Sequence, residues 1–119
     1  MLKGSSSSVR VYYPHFDRQQ LIQKLKEEVK ILEEELPLLL VILFGSCAKG
    51  NYTVASDVDL LIVYEGQERK NILATVKKTI SIPRLEPHVY SESEYEELRR
   101  TLHKMIEDGI VLFSKNKDQ

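Results

Sequence analysis

The chain has 119 residues and one cysteine, and its 17 Lys and Arg residues nearly balance its 18 Asp and Glu residues, which leaves a formal net charge of −1. This length predicts a single domain with one core, and the balanced charge gives no signal for nonspecific binding to nucleic acid or to a membrane surface. Cys47 alone cannot form an intrachain disulfide framework, and the longest apolar run, Leu36 to Phe44, is too short to span a membrane. We therefore expect a cytoplasmic protein that does not enter the membrane.

The first predicted element is a helix that begins near Asp17. Residues 1–8 are rich in Gly and Ser and we expect them to be disordered. The domain proper is predicted to span 9–114, and 115–119 should form a frayed tail. Asp17 can cap the first helical turn, and Pro37 stops the helix. Apolar residues recur at steps of three and four, as on one face of a helix: Leu21, Leu25, Val29, Leu32 and Leu36.

Two continuous apolar runs follow, and each has the length of a strand. Leu38 to Phe44 is apolar at every position, which is typical of a strand that is buried on both faces at the centre of a sheet. Asp57 to Tyr64 is the second such run, and it is rich in Val, Ile and Leu. Between the two runs, Gly45, Gly50 and Asn51 indicate a loop.

The next predicted elements are a helix and an edge strand. The helix starts at about Glu68 and is marked by Ile72, Leu73, Val76 and Ile80. After it, the segment from Arg84 to Tyr90 has a weaker strand pattern. Pro87 lies inside that segment and favours an edge position or a bulge, because proline cannot donate to a neighbouring strand.

The C-terminal part predicts a last helix and a closing strand. Ser91 and Glu94 fit a capping box, and Gly109 ends the helix that follows. Ile110 to Phe113 can form a short closing strand. Together the elements predict an α/β (α+β) domain, a small mixed sheet of three to four strands with helices packed on it. The apolar stripe of the last helix consists of Tyr95, Leu98, Leu102 and Ile106.

Asp57 and Asp59 carry the first chemical signal. Because they are two residues apart on a predicted strand, both side chains should point to the same face. Two ionised carboxylates held this close repel each other unless a cation lies between them, and Mg²⁺ takes such oxygen ligands when it bridges a protein and phosphates. The alternative is a solvated strand end with a turn at Ser56 and Asp57.

Gly45 and Ser46 complement this pair of carboxylates. A glycine directly after a buried strand lets the backbone approach a phosphate, and the serine adds a hydroxyl and an amide donor. Lys49 is near enough in the sequence to contribute a cation. The alternative is an ordinary turn, so the signal is the combination of Gly-Ser after one buried strand with Asp-x-Asp at the start of the next.

The segment GSCAKGNYTVASDVDLLIV resembles the signature of the minimal nucleotidyltransferase (MNT) domains of the DNA polymerase β superfamily, which is Gly-Ser, ten residues and Asp-x-Asp. Ala48, Lys49, Gly50 and Ser56 also fit the usual family pattern, G-S-x-A-(R/K)-G followed by S-D-x-D-L. The later segments HVYSESEYEEL and EDGIVLF are similar to the closing strand, helix and final strand of the family. The resemblance spans about 17–113 and implies a mixed sheet with helices on one side.

The resemblance also implies an activity, namely metal-dependent transfer of a nucleoside monophosphate, with AMP from ATP as our expectation. Two divalent cations, Mg²⁺ or Mn²⁺, would be held by Asp57 and Asp59. The family has a third carboxylate on the next strand, where it binds the metal nearer the acceptor and can take the acceptor's proton. The resemblance of HVYSESEY places Glu86 there as the third catalytic and metal-binding residue, with His88 on the same face as the alternative. The nucleotide would be bound by Gly45, Ser46, Lys49 and Ser56.

Short MNT proteins resemble the antitoxin halves of two-protein modules whose partner is a helical HEPN-type ribonuclease toxin. The acceptor would then be a tyrosine of the partner, and attached AMP would silence it. One alternative is a catalytically degenerate module that holds a nucleotide or neutralises a partner by binding alone. A transferase for an aminoglycoside-like hydroxyl ranks lower, because such enzymes usually carry an additional helical domain. The sequence allows a homo-oligomer.

Overall fold

A four-stranded mixed sheet with helices on both faces forms the part of the chain that the structure describes. The computed structural model describes residues 18–45, 48, 57–67 and 69–115. The expectations for 1–8, for the Asp17 cap and for the last residues of the tail lie outside this part. In chain order the elements are α1 (Arg18–Glu35), β1 (Leu38–Phe44), β2 (Val58–Tyr64), α2 (Ile72–Thr79), β3 (Leu85–Ser91), α3 (Glu92–Glu97), α4 (Arg99–Met105) and β4 (Ile110–Ser114).

The strand order is β3-β2-β1-β4, so the two most apolar strands lie at the centre. β1 pairs antiparallel with both β2 and β4, whereas β2 and β3 are parallel and are connected through α2. This confirms the predicted mixed sheet. Pro87 lies in β3, which is an edge strand as predicted, so its missing N–H costs no hydrogen bond to a further strand.

Alternate side chains of the two central strands pack on opposite faces of the sheet. On one face, α1 and α2 cover Val41, Leu43, Leu60 and Ile62, all of them buried. α1 contributes the stripe that the helical spacing predicts, namely Leu21, Leu25, Val29, Leu32 and the following Leu36. On the other face, α4 packs through Leu102 against a second buried set, Ile42, Phe44, Leu61 and Val63.

The expectation of helices on one side of the sheet is therefore wrong. β1 and β2 are apolar on both faces, and an exposed second apolar face would be unfavourable. α4 covers that face, with half-buried Tyr95, Met105 and Ile106 around its contact with the sheet.

Two predicted helices differ from the observed ones in their limits. The helix expected from Glu68 begins at Ile72, because Asn71 directly before it has a left-handed backbone with φ 63°. Leu73 does not belong to the buried face of α2, which Ile72 and Val76 form, and it is 47% exposed. The single last helix breaks at Leu98, which separates α3 from α4, and this break turns Leu98 towards solvent.

The capping box at the start of α3 is confirmed. Ser91 is fully buried, and its Oγ accepts from the Glu94 backbone N–H at 3.2 Å, while Glu94 Oε1 accepts from the Ser91 N–H at 2.8 Å. Within the described ranges, no helix is long and apolar enough to cross a membrane.

Candidate functional site at the start of the second strand

Asp59 lies at the centre of the candidate site, in a strand that has a neighbouring strand on each side. In the sheet it is paired with Phe44 of β1 and with Glu86 of β3. Its side chain is 27% exposed. Asp57 lies just before β2 rather than within it, and its side chain is 51% exposed. The carboxylates thus occupy the open end of the face on which Leu61 and Val63 are buried.

The loop after β1 passes directly against the Asp59 carboxylate. Gly45 has φ +78°, a left-handed conformation that favours glycine. A Cβ added at Gly45 would lie only 2.5 Å from Asp59 Oδ2, so a side chain at this position would collide with the carboxylate. The Gly-Ser turn and the Asp-x-Asp segment, which are separate in the sequence, therefore meet in the structure at these two residues.

Two hydrogen bonds and one buried side chain hold the start of this loop. The backbone N–H of Ala48 donates to the Gly45 carbonyl at 3.1 Å, and the Ala48 side chain is buried in the α1-side core. Arg18, at the start of α1, donates from Nη2 to the Ala48 carbonyl at 2.7 Å. Three predicted nucleotide-binding residues lie outside the described residues: Ser46, Lys49 and Ser56.

Arg84 is a site residue that the sequence reasoning missed. Its Nη2 lies 3.1 Å from Asp57 Oδ1, and its carbonyl accepts from the Val58 N–H at 2.9 Å. Arg84 also has a left-handed backbone, with φ 62°, directly before β3. Both partners of the ion pair are about half exposed, so the pair orients Asp57 more than it stabilises the fold. No sequence pattern identifies this contact, because it depends on the position of β3 beside β2.

Glu86 and His88 have different surroundings, although both belong to the same face of β3. Glu86 is the register partner of Asp59 but is exposed, and its side chain forms no hydrogen bond or ion pair with the described residues. His88 is the register partner of buried Leu61. Its Nε2 lies 3.6 Å from Asp59 Oδ1, and its ring packs against Phe44 at a centroid distance of 5.2 Å.

The donor set fits a divalent cation at Asp59. A carboxylate with an imidazole beside it offers oxygen and nitrogen ligands, and the absence of a Cβ at Gly45 lets Oδ2 lie directly against the backbone after β1. In the part of the chain that the structure describes, however, no three His, Cys, Asp or Glu side chains already converge as a metal-binding group. Asp57 is turned towards Arg84, and Glu86 towards solvent.

Known proteins share the fold of this chain and its family. No curated protein matches the chain. Its fold is similar to that of a candidate nucleotidyltransferase from Sulfolobus solfataricus, with a TM-score of 0.59 and 24% identity over 85% of this chain and 86% of that one. It is also similar to a chain of a toxin–antitoxin complex with AMP-PNP, with a TM-score of 0.56 and 19% identity over 78% of this chain and 76% of that one. A family model described as the nucleotidyltransferase domain matches residues 18–112, and the chain therefore belongs to this family.

Proposed function

We propose that this chain transfers AMP from ATP to a hydroxyl group, with divalent cations, Mg²⁺ or Mn²⁺, held at Asp57 and Asp59. One observation carries the proposal: the Gly45 backbone approaches the Asp59 carboxylate so closely that an added Cβ would lie 2.5 Å from Oδ2. A carboxylate that can hold a cation and a backbone that can admit a phosphate are thus adjacent. A triphosphate bound through a cation requires this arrangement.

Each site residue has a separate task in this proposal. Asp57 and Asp59 would hold the cations, which would supply charge neutralisation on the triphosphate and a more acidic acceptor hydroxyl. Gly45 gives the β- and γ-phosphates access to the backbone. Arg84 orients Asp57 before the nucleotide binds. The remaining nucleotide contacts are assigned on the sequence pattern alone, to Ser46, Lys49 and Ser56.

In the reaction, the acceptor oxygen forms a bond to the α-phosphorus, and the bond from that phosphorus to the bridging oxygen of the β-phosphate breaks. Pyrophosphate leaves with the bridging oxygen, and the hydroxyl proton passes to Glu86 or to water. Glu86 is exposed on β3 beside Asp59. Its carboxylate can therefore reach a proton on an acceptor that approaches from solvent.

The acceptor that we propose is a tyrosine of a helical HEPN-type partner. β3 is an edge strand, so Glu86 and His88 lie at the margin of the sheet. A second protein can approach the site there. The similarity to a chain of a toxin–antitoxin complex with AMP-PNP supports a protein partner and an adenine nucleotide. AMP on the phenolic oxygen would add a bulky anion and block that tyrosine.

Radiolabelled ATP tests the chemistry and the acceptor together. The chain is mixed with Mn²⁺, with ATP labelled at the α- or the γ-phosphate, and with a purified HEPN-type helical protein as the acceptor. We expect label on that protein from the α-position only, and its loss in Asp57→Asn and Asp59→Asn. Ile31→Ala, at a position of α1 that is 51% exposed, is the matched control and should keep labelling. Label from the γ-phosphate, or no label under any condition, would contradict the proposal.

A second candidate is a nucleotide- or partner-binding module without transfer. The observation in its favour is that Asp57 contacts Arg84 at 3.1 Å and that the described carboxylates do not already converge as a metal-binding group. The same experiment separates the two functions. Neutralisation of the partner that survives Asp57→Asn and Asp59→Asn, with no transferred label, would establish the binding module.

A further inference from the structure

We infer that His88 is a ligand of the divalent cation held by Asp59, so that the site combines nitrogen and oxygen donors instead of three carboxylates. This inference rests on the proposed function for the presence of the cation. It replaces Glu86 by His88 as the metal ligand from β3 and leaves Glu86 as a proton acceptor. The resulting site should favour a first-row transition ion over Mg²⁺.

The distance between His88 and Asp59 is the first support. Nε2 lies 3.6 Å from Oδ1, whereas an N–H···O hydrogen bond is about 2.7–3.2 Å long. Two ligand atoms that are each about 2.1 Å from one ion are about 3.0 Å apart at a right angle and about 3.6 Å apart at 120°. The observed separation is thus too long for a good hydrogen bond and lies at the upper end of the range for two ligands of a common ion.

The packing of the imidazole is the second support. The ring lies 5.2 Å from the Phe44 ring at an interplanar angle of 57°, so an aromatic contact limits its rotation. His88 is paired with Leu61, which is fully buried, and reaches diagonally across β2 to Asp59. A ligand held in this way loses little freedom when a metal binds. Glu86, in contrast, is exposed and has no partner among the described residues that would orient it.

Metal selectivity follows from the donor types. Mg²⁺ requires oxygen ligands and nearly octahedral geometry, whereas imidazole is a good ligand for first-row transition ions. His88 also contributes no negative charge to the ligand set, so the electrostatic attraction for Mg²⁺ is weaker than with a third carboxylate ligand. We therefore expect tighter binding of Mn²⁺ than of Mg²⁺, and a larger ratio of the two affinities than an all-carboxylate site would give.

The test uses Mn²⁺ alone as the probe, followed by Mn²⁺ with α,β-methylene-ATP. Pulsed electron paramagnetic resonance detects a nitrogen nucleus that is coordinated to Mn²⁺, and isothermal titration calorimetry gives the affinity. We expect a coordinated-nitrogen signal in the wild-type chain and its loss in His88→Phe, which keeps an aromatic ring against Phe44. Mn²⁺ affinity should fall about 10- to 100-fold in this variant.

Two further variants sharpen the assignment. Glu86→Gln should retain the nitrogen signal, and His103→Ala, at an exposed position of α4, is the matched control for loss of an unrelated histidine. His88→Asp restores a carboxylate and should lower the ratio of Mn²⁺ to Mg²⁺ affinity towards that of an oxygen-only site. This last variant also serves if His88→Phe does not fold.

The outcomes distinguish this inference from the proposed function. Two results would overturn the role of His88 and leave the nucleotidyltransferase proposal intact. The first is Asp59-dependent binding of Mn²⁺ without a nitrogen signal, and the second is a nitrogen signal that persists in His88→Phe. Failure of the wild-type chain to bind Mn²⁺, with or without the nucleotide analogue, would overturn both.

Discussion

Substitution of Gly45 by alanine tests the contact between the loop and the Asp59 carboxylate. The new Cβ would impose two costs, because Gly45 has φ +78° and the Cβ would lie 2.5 Å from Asp59 Oδ2. The left-handed backbone costs about 1–2 kcal/mol for a residue with a Cβ. Rotation of Asp59 away from the new methyl group adds about 0.5–1.5 kcal/mol if its side chain leaves its preferred rotamer by about 30°.

Gly66 offers a matched control within the same chain. It also has a positive φ, +88°, but a Cβ added there would meet nothing within 4 Å. Gly66→Ala should therefore lower the free energy of unfolding only through its left-handed backbone. The effect of alanine on the unfolded chain is the same in both variants. The free energy of unfolding of Gly45→Ala should be lower than that of Gly66→Ala by about 0.5–1.5 kcal/mol. For a domain of this size the difference in Tm would be about 2–6 °C.

Thermal unfolding and Mn²⁺ calorimetry measure the two consequences of Gly45→Ala. Mn²⁺ affinity should fall in Gly45→Ala and remain unchanged in Gly66→Ala, because only the first displaces Asp59. In the background of Asp59→Ala the carboxylate is absent, so Gly45→Ala should then cost no more than Gly66→Ala, a coupling of about 0.5–1.5 kcal/mol. Equal Tm and equal Mn²⁺ affinity for the two glycine variants would refute the contact on which the site is built.

Two further predictions concern the fold. Leu32→Ala removes a fully buried side chain of α1 and should lower the free energy of unfolding by about 2–5 kcal/mol in chemical denaturation, whereas Ile31→Ala, at a position that is 51% exposed, should change it by less than about 0.5 kcal/mol. Ser91→Ala removes the acceptor of the Glu94 N–H and should lower the free energy of unfolding by about 1 kcal/mol. Ser93→Ala, at an exposed position of α3, should leave it unchanged. Equal stability of the two serine variants would show that the capping box contributes nothing.

The sequence predicts those parts of the fold that depend on local periodicity. α1, β1 and β2 follow from an apolar stripe and two apolar runs, and the limits of β1 coincide with the predicted Leu38–Phe44. The start of α2 and the break at Leu98 could not be predicted in this way. They depend on the backbone conformation of single residues, such as the left-handed Asn71. The surrounding structure selects these conformations, and the spacing of apolar residues does not indicate them.

The residues of the candidate site also differ in whether the local sequence predicts them. Gly45, Asp57 and Asp59 were predicted because each lies at the end of a strand that the sequence itself marks. The contact of Arg84 with Asp57 and the reach of His88 to Asp59 require the parallel pairing of β2 with β3. That pairing joins segments connected only through α2, so its register is a tertiary property, and the choice between Glu86 and His88 stayed open at the level of sequence.

The position of Asp59 between two strands sets its two carboxylate oxygens against different neighbours. Its Oδ2 is the oxygen that a Cβ at Gly45 would meet, and its Oδ1 is the oxygen nearest His88 Nε2. The two oxygens therefore face different walls of the site, one formed by the loop after β1 and the other by β3. A change at Asp59 alters both contacts at once, and Gly45→Ala should also affect both because it rotates the Asp59 carboxylate, whereas a change at His88 alters the β3 side. Gly45→Ala and His88→Phe should accordingly both weaken Mn²⁺ binding, but only His88→Phe should remove the nitrogen signal.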